Sequence, residues 1–246
     1  MKRVIYVLML LSLIVLGGCE RDTKRVGYYS IGDIGSSKVS IVYNGSGVGK
    51  VTLYYGDYRN EYIFNTGDSE YIPMVYGKGK YRLIFEGGGK YDDIVIDVRH
   101  SDIKDVFTGE SYCIKKTEEV EKVMRLLSSN VSDNYINNVY NYVCSLDYNN
   151  YTVDKIVNNK IKFYKVNLDE VLSSKSGICL DKAYLMSGLL RLRGIPSRVV
   201  YGYAYNGQYH AWVEVYKDDS WKLYDPTLYV DYNDKKSLYY KVSAYY

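Results

Sequence analysis

Apolar and polar residues alternate along much of the first hundred residues. The segment Lys50 to Tyr55, for example, places Val51, Leu53 and Tyr55 on one face of an extended chain. Similar runs recur between glycine-rich turns, and a period of two is typical of strands with one buried face. The pattern predicts short strands between residues 38 and 99, arranged as a small antiparallel sandwich.

The period of the pattern changes to that of a helix in the second part of the chain. Two helical repeats cover residues 117–127 and 134–146, and Ser132 or Asp133 suits the cap of the second. A third repeat begins at Cys179 and is stopped by a glycine and a proline. These segments predict a helical region that follows the strands in the sequence.

Strand patterns return along the chain after the helix that begins at Cys179, which we call the central helix. An Asn206-Gly207 dipeptide predicts a tight hairpin between two of the strands. The predicted strands are residues 198–205, 209–216 and 221–224, with a further strand in the tail 231–246. The whole succession predicts an α+β fold preceded by a small all-β sandwich of immunoglobulin-like type.

The N-terminus has the pattern of an export signal. Lys2 and Arg3 precede an apolar run from Val4 to Leu16, which is short for a membrane span but suits the core of a signal peptide. The run ends in Leu16-Gly17-Gly18-Cys19, which resembles the cleavage motif of bacterial lipoproteins, where the cysteine is diacylated. An ordinary signal peptide and an uncleaved anchor are the alternatives.

Charge, cysteine and histidine content bear on three questions, namely a nucleic-acid partner, a disulfide and a bound metal. The formal net charge is only +3 and no long run of one sign occurs, so we expect no nucleic-acid partner. With Cys19 assigned to lipid, three cysteines remain, and at least one is unpaired in a monomer. Cys113 and Cys144 could form a disulfide or stay free. Two histidines and no Cys-x-x-Cys motif imply no metal, and we expect no cofactor.

Cys179 is the candidate nucleophile. It follows the loop and cap signal Ser176-Gly177, so it lies in the first turn of the central helix, where free N–H groups and the dipole favour a thiolate. The alternative is a small buried core residue. His210 lies on a predicted strand and Asp225 ends the next strand, and neighbouring strands hold residues about 5 Å apart. The three could therefore act as nucleophile, base and orienting acid.

The blocks around these residues resemble the transglutaminase-like superfamily. The matching blocks are Gly177–Ala183, Leu189–Tyr203, His210–Val215 and Trp221–Thr227. The resemblance covers about residues 118–227 and implies a papain-like core whose catalytic residues are Cys179, His210 and Asp225. Some relatives have an upstream side chain at the oxyanion site, for which Tyr148 is a candidate. The chain is most similar to short bacterial exported members with an N-terminal sandwich domain.

The resemblance implies acyl transfer on protein or peptide amides through a thioester, ending in cross-linking, deamidation or hydrolysis. A cysteine protease of the cell envelope and a noncatalytic surface-binding protein on the same fold are the alternatives. The expected partners are a protein or peptide substrate, including cell-wall peptide, and the membrane through the lipid anchor.

Taken together, the patterns and the resemblance predict four parts of the chain. They are a lipoprotein signal peptide (residues 1–19), a tether (20–30), a β-sandwich accessory domain (31–100) and a transglutaminase-like catalytic domain (101–246). We expect a lipoprotein anchored at the bacterial cell surface, outside the cytoplasm.

Overall fold

The computed structural model describes residues 23–128 and 134–246. Within these ranges the elements follow the predicted order of strands, helices and again strands. The expected signal peptide with Cys19, and the expected caps Ser132 and Asp133, lie outside the described residues. The helix after this gap is capped by Asn134, whose side chain accepts the N–H of Asn137.

Two four-stranded antiparallel sheets form the N-terminal part of the described chain, with strand orders β1-β2-β3-β6 and β5-β4-β7-β8. The strands are β1 Lys24–Val26, β2 Tyr29–Gly32, β3 Lys38–Tyr43, β4 Val48–Tyr55, β5 Tyr58–Asn65, β6 Ser69–Pro73, β7 Gly79–Gly87 and β8 Lys90–Val98. The ring of Tyr29 in one sheet packs on Phe64 and Phe85 of the other, so the sheets share one core. The predicted all-β region is therefore present.

The first two strands differ from expectation, because they occupy part of the segment predicted to be a tether. Strand β2 pairs with both β1 and β3. Its residues Tyr29 and Ile31 are buried and alternate with the partly exposed Ser30. The period of two that predicts strands thus already begins before residue 31.

A five-stranded antiparallel sheet of order β14-β13-β12-β11-β15 and six helices form the C-terminal part of the described chain. The strands of the sheet are β11 Ser197–Tyr203, β12 Tyr209–Lys217, β13 Ser220–Asp225, β14 Val230–Asp231 and β15 Lys241–Tyr245. Two further strands of this part, β9 Asp147–Tyr148 and β10 Ser176–Gly177, form a separate pair. The helices of this part are α1 Ile103–Phe107, α2 Glu118–Ser128, α3 Tyr135–Cys144, α4 Asn150–Val157, α5 Leu168–Ser174 and α6 Cys179–Arg191, with a 3-10 helix at Lys235–Tyr239. Helix α6 packs on β11 and β12, which confirms the α+β fold. No helix of the described residues is long and apolar enough to cross a membrane.

Helix α6 is buried on nearly all sides. Its last residue, Arg191, is also buried and donates to the carbonyl oxygens of Ser197 and Tyr246 and to the hydroxyl of Ser111, at 2.6 to 2.8 Å. Burial lowers the pKa of Arg191 to about 10. These bonds connect the C-terminal turn of α6 to the strands that follow it and to an upstream loop.

Two short elements replace the loop expected around Asp147 to Tyr151. Strand β9 pairs in parallel with β10, and α4 begins directly behind it. The side chain of Asn149 caps α4 by accepting the N–H of Thr152 at 3.0 Å. Asparagine is a favoured cap, so the signal for this helix was present in the sequence.

The core under α6 gives a direct stability test. Leu189 is fully buried in α6, and Leu189→Ala removes apolar contacts and leaves a cavity. We expect a loss of about 2–5 kcal/mol in the free energy of unfolding. Leu126→Ala, at an exposed leucine of α2, is the matched control and should change stability by about 0.5 kcal/mol or less. Chemical denaturation measures both, and equal losses would contradict this packing.

Candidate active site

Cys179 is the first residue of α6. The cap is Ile178, not Ser176 or Gly177, because these two residues are held in β10 by their pairing with β9. The backbone N–H of Ile178 donates to the carboxylate of Asp181 at 2.9 Å. This single bond, from the cap N–H to a carboxylate of the first turn, fixes the start of the helix and therefore the place of Cys179.

Asp181 is held in turn by Tyr164, whose hydroxyl lies 2.8 Å from the Oδ2 atom. Burial raises the pKa of Asp181, while the bonds from Ile178 and Tyr164 act in the opposite direction. Gly177 has no space for a side chain, since a Cβ atom there would lie 2.7 Å from the Cβ of Asp181. The segment before Cys179 is thus packed tightly onto the first turn of α6.

His210 and Asp225 meet as predicted. His210 lies in β12 and Asp225 is the last residue of β13. The Nε2 atom of His210 lies 2.9 Å from Oδ2 of Asp225, and the side chains are 9% and 0% exposed. The carboxylate can therefore fix the orientation of the imidazole ring.

Asp225 is held by four groups in total. Its Oδ1 atom accepts the backbone N–H groups of Thr227 and Leu228 at 2.9 and 3.0 Å. Its Oδ2 atom accepts the hydroxyl of Tyr240 at 2.7 Å in addition to the bond with His210. Sequence reasoning missed Tyr240, because nothing in the pattern distinguishes it among 32 tyrosines.

The charge state of His210 depends on both partners. Burial alone would lower its pKa, because it disfavours the imidazolium. The hydrogen bonds with Asp225 and with Cys179, together with the charges of both, outweigh burial and raise the pKa of His210 to about 9. Cys179 is a free, half-buried thiol that interacts with His210, so the structure brings all three predicted residues to one place.

A glycine makes room at the strand beside His210. Gly202 of β11 is the cross-strand partner of His210. A Cβ atom at this glycine would collide with the carbonyl oxygen of Lys241 and lie 2.7 Å from the indole of Trp212. The pairing of β15 shifts its register at this point. The close approach of β15 therefore requires glycine opposite the candidate base.

Tyr148 lies beside Cys179, as its candidate role requires. The pairing of β9 with β10 sets Tyr148 opposite Gly177, two residues before the thiol. Burial and the charge of Cys179 raise the pKa of Tyr148, while a hydrogen bond with the backbone of Cys179 opposes this. The phenol oxygen therefore lies near the backbone N–H of Cys179 at the start of α6.

A cleft of about 770 Å³ lies next to these residues. It is lined by Asn141, Cys144, Ser145, Leu146, Asp147, Tyr148, Lys182, Gln208, His210, Thr227, Leu228 and Tyr229. Cys179 is not part of its wall, but Tyr148 and His210 are.

Cys113 and Cys144 are both free thiols in the structure. Within residues 23–128 and 134–246, no group of three or more His, Cys, Asp or Glu side chains is arranged to hold a metal ion.

Comparison with known proteins agrees with this geometry. The family described as the transglutaminase-like superfamily matches residues 118–226, which contain Cys179, His210 and Asp225. Residues 118–226 belong to the transglutaminase-like superfamily. Tyr240 lies outside the matched residues.

Two solved structures illustrate the similarity. One is a candidate cysteine protease from Cytophaga hutchinsonii, 13% identical over 85% of this chain and 80% of that chain, with a TM-score of 0.44. The other is described as a TGase and is 20% identical over 46% of this chain and 31% of that chain, with a TM-score of 0.36. No curated protein sequence matches the chain.

The titration of His210 in the transglutaminase-like domain can be measured directly. Only His100 and His210 contribute histidine signals, and His100→Gln assigns them by elimination. We expect a midpoint of about 9 for His210 by NMR. Asp225→Asn should lower this midpoint, because it removes the negative partner and leaves the effect of burial. A midpoint that Asp225→Asn leaves unchanged would contradict the pairing.

The same shift predicts how stability depends on pH. The pKa of His210 is raised from 6.5 to about 9 by folding, so the charged ring stabilises the fold. This contribution is fully present below pH 6.5 and is lost as the pH rises through 9. The difference in unfolding free energy between wild type and His210→Gln should therefore shrink between about pH 6 and pH 10. A difference that stays constant over this range would contradict the raised pKa of His210.

Proposed function

We propose that the transglutaminase-like domain transfers acyl groups from protein or peptide amides through a thioester on Cys179. The observation that carries this proposal is the pair of His210 with the buried Asp225, placed beside a half-buried thiol at the start of α6. A nucleophile, a base and an orienting acid in this relation are typical of cysteine-dependent acyl transfer, which supports the proposal.

The chemistry follows from the charge of His210. With a pKa of about 9, the ring is an imidazolium at neutral pH and places a positive charge beside the sulfur of Cys179. The thiolate attacks the amide carbonyl, and the carbon–nitrogen bond then breaks while His210 gives its proton to the leaving amine or ammonia. Water or a second amine next attacks the thioester, with His210 as the base, and releases Cys179.

The developing oxyanion needs donors at the start of α6. The backbone N–H of Cys179 is one donor, since the first N–H groups of a helix have no partner within the helix. Tyr148 supplies the second donor through its hydroxyl, whose position beside the Cys179 backbone supports this role.

The nucleophile is tested by incubating the protein with glutamine- and lysine-bearing peptides. Mass spectrometry follows ammonia release, isopeptide formation and cleavage, and thus decides between amine and water as acceptor. Cys179→Ala should abolish all three products, and His210→Gln should slow them by about 10²–10⁴-fold. A covalent acyl-enzyme should be trapped on Cys179 in wild type only.

The controls remove chemically equivalent groups elsewhere. Cys113→Ala deletes a buried thiol, and His100→Gln deletes an exposed imidazole, so both variants should keep activity. If Cys179→Ala retained product formation, the proposed nucleophile would be wrong. A wild-type protein that binds the peptides without converting them would instead favour the noncatalytic surface-binding alternative.

We further propose that this enzyme acts outside the cytoplasm, held to the membrane by lipid on Cys19. The support is the sequence alone, with a basic start, an apolar run and the Leu16-Gly17-Gly18-Cys19 motif. A cell-surface position would bring cell-wall peptides within reach of Cys179.

The anchor is tested by expressing the full chain in a bacterium and determining the mass of its N-terminal peptide. We expect a mature chain that begins with a diacylated Cys19 and fractionates with membranes. Cys19→Ser should prevent acylation, whereas Cys113→Ala should not affect it. An unmodified Cys19 in the membrane fraction would argue for an uncleaved anchor.

A further inference from the structure

The proposed mechanism leaves one buried charge without a role. Lys182 lies one helical turn after Cys179 in α6, and only 2% of it is exposed. Its Nζ atom donates to the carbonyl oxygen of Leu146 at 2.6 Å. An ammonium group has three N–H donors, so this bond leaves two of them for another partner.

Lys182 has no carboxylate partner among the described residues, because none lies within 4.0 Å of its ammonium as an ion pair. The charges of Asp147 and Asp225 act on it only from a longer distance. Asp225 already accepts four hydrogen bonds, and Asp147 is exposed to solvent. Burial lowers the pKa of Lys182, while Cys144 and these two carboxylates oppose it. A lysine is rarely this buried without a counter-charge.

Thr227 brings a second polar group with unused hydrogen-bonding capacity to the same cleft. The Oγ1 atom of Thr227 is buried and has no hydrogen-bond partner in the structure. The backbone N–H of Thr227 is used by Asp225, but its hydroxyl is not. Lys182 and Thr227 both line the cleft of about 770 Å³ that contains His210. Two residues with unused donors therefore line the same cavity as the candidate base.

We propose that Lys182 and Thr227 form a carboxylate-binding subsite, so that the substrate carries a carboxylate close to the amide that Cys179 attacks. This inference rests on the proposed acyl transfer. One positive charge and a hydroxyl match a singly charged carboxylate. A doubly charged phosphate fits less well, because Asp147 lies in the wall of the same cleft. The carboxylate comes either from a free chain terminus or from an Asp or Glu side chain of the substrate.

The subsite is tested without knowing the substrate by comparing iodoacetate with iodoacetamide. In both reactions the thiolate of Cys179 displaces iodide, so a sulfur–carbon bond forms and the carbon–iodine bond breaks. The reagents differ only in a carboxylate or a carboxamide. The full chain in detergent is labelled, and peptide mass spectrometry reports Cys179 separately from Cys113 and Cys144.

Lys182→Met should lower the ratio of the iodoacetate rate to the iodoacetamide rate about tenfold or more. Lys182→Arg keeps the charge and should retain the ratio within about twofold. Thr227→Val should lower the ratio to a smaller extent, since it keeps the backbone N–H that Asp225 accepts. Circular dichroism and thermal unfolding establish that each variant is folded.

A second measurement needs no variant. Labelling of wild-type Cys179 by iodoacetamide is followed with three competitors, namely N-acetylglutamine amide, N-acetylglutamine and N-acetylglutamate α-amide. The first has no carboxylate, the second has one at the chain terminus, and the third has one on the side chain. Only carboxylate compounds should protect Cys179, and the one that protects more strongly identifies the source.

The outcomes separate the two proposals. If both reagents label Cys179 but the ratio is the same in wild type and folded Lys182→Met, the subsite is wrong while the nucleophile stands. Equal protection by all three competitors also overturns the subsite. If neither reagent labels Cys179 in folded wild type, the proposed function fails and the subsite fails with it.

Discussion

The candidate site depends on one buried carboxylate. Asp225 is fully buried, and a buried charge is tolerated only when hydrogen bonds replace the water it has lost. Two of these bonds come from the turn that directly follows it, so the carboxylate is oriented before any distant residue contributes. His210 then takes its orientation and its charge from Asp225. The imidazolium beside Cys179 therefore depends in part on the turn that holds this acid.

The parts of the molecule that depend on local pattern could be predicted from the sequence. Alternation predicts the strands around Val51 and Leu53, and helical spacing predicts α2, α3 and α6, because burial of one face is encoded in each short segment. Cys179, His210 and Asp225 could be found since each stands at a characteristic place in its element. Helix α4 has only a cap and eight residues, none of them buried, so its apolar signal is weak.

The contacts between distant segments could not be predicted in the same way. Tyr240 reaches Asp225 from the position directly after the 3-10 helix, where the sequence has no periodic signal. Lys182 looks like any solvent-facing lysine of a helix. Its burial follows from how the turn at Leu146 covers α6, which is a property of the packed structure. Thr227 could not be singled out from the sequence either, because only the folded structure shows that its hydroxyl has no hydrogen-bond partner.

The bond from Tyr240 to Asp225 has a consequence for the order in which the site is completed. The family match ends at residue 226, yet the fourth donor to the acid comes from residue 240. During synthesis the nucleophile, the base and the acid all leave the ribosome before this tyrosine does. All four hydrogen bonds to Asp225 are present only after the segment Lys235–Tyr239 has docked. Chain growth itself therefore delays full assembly of the site.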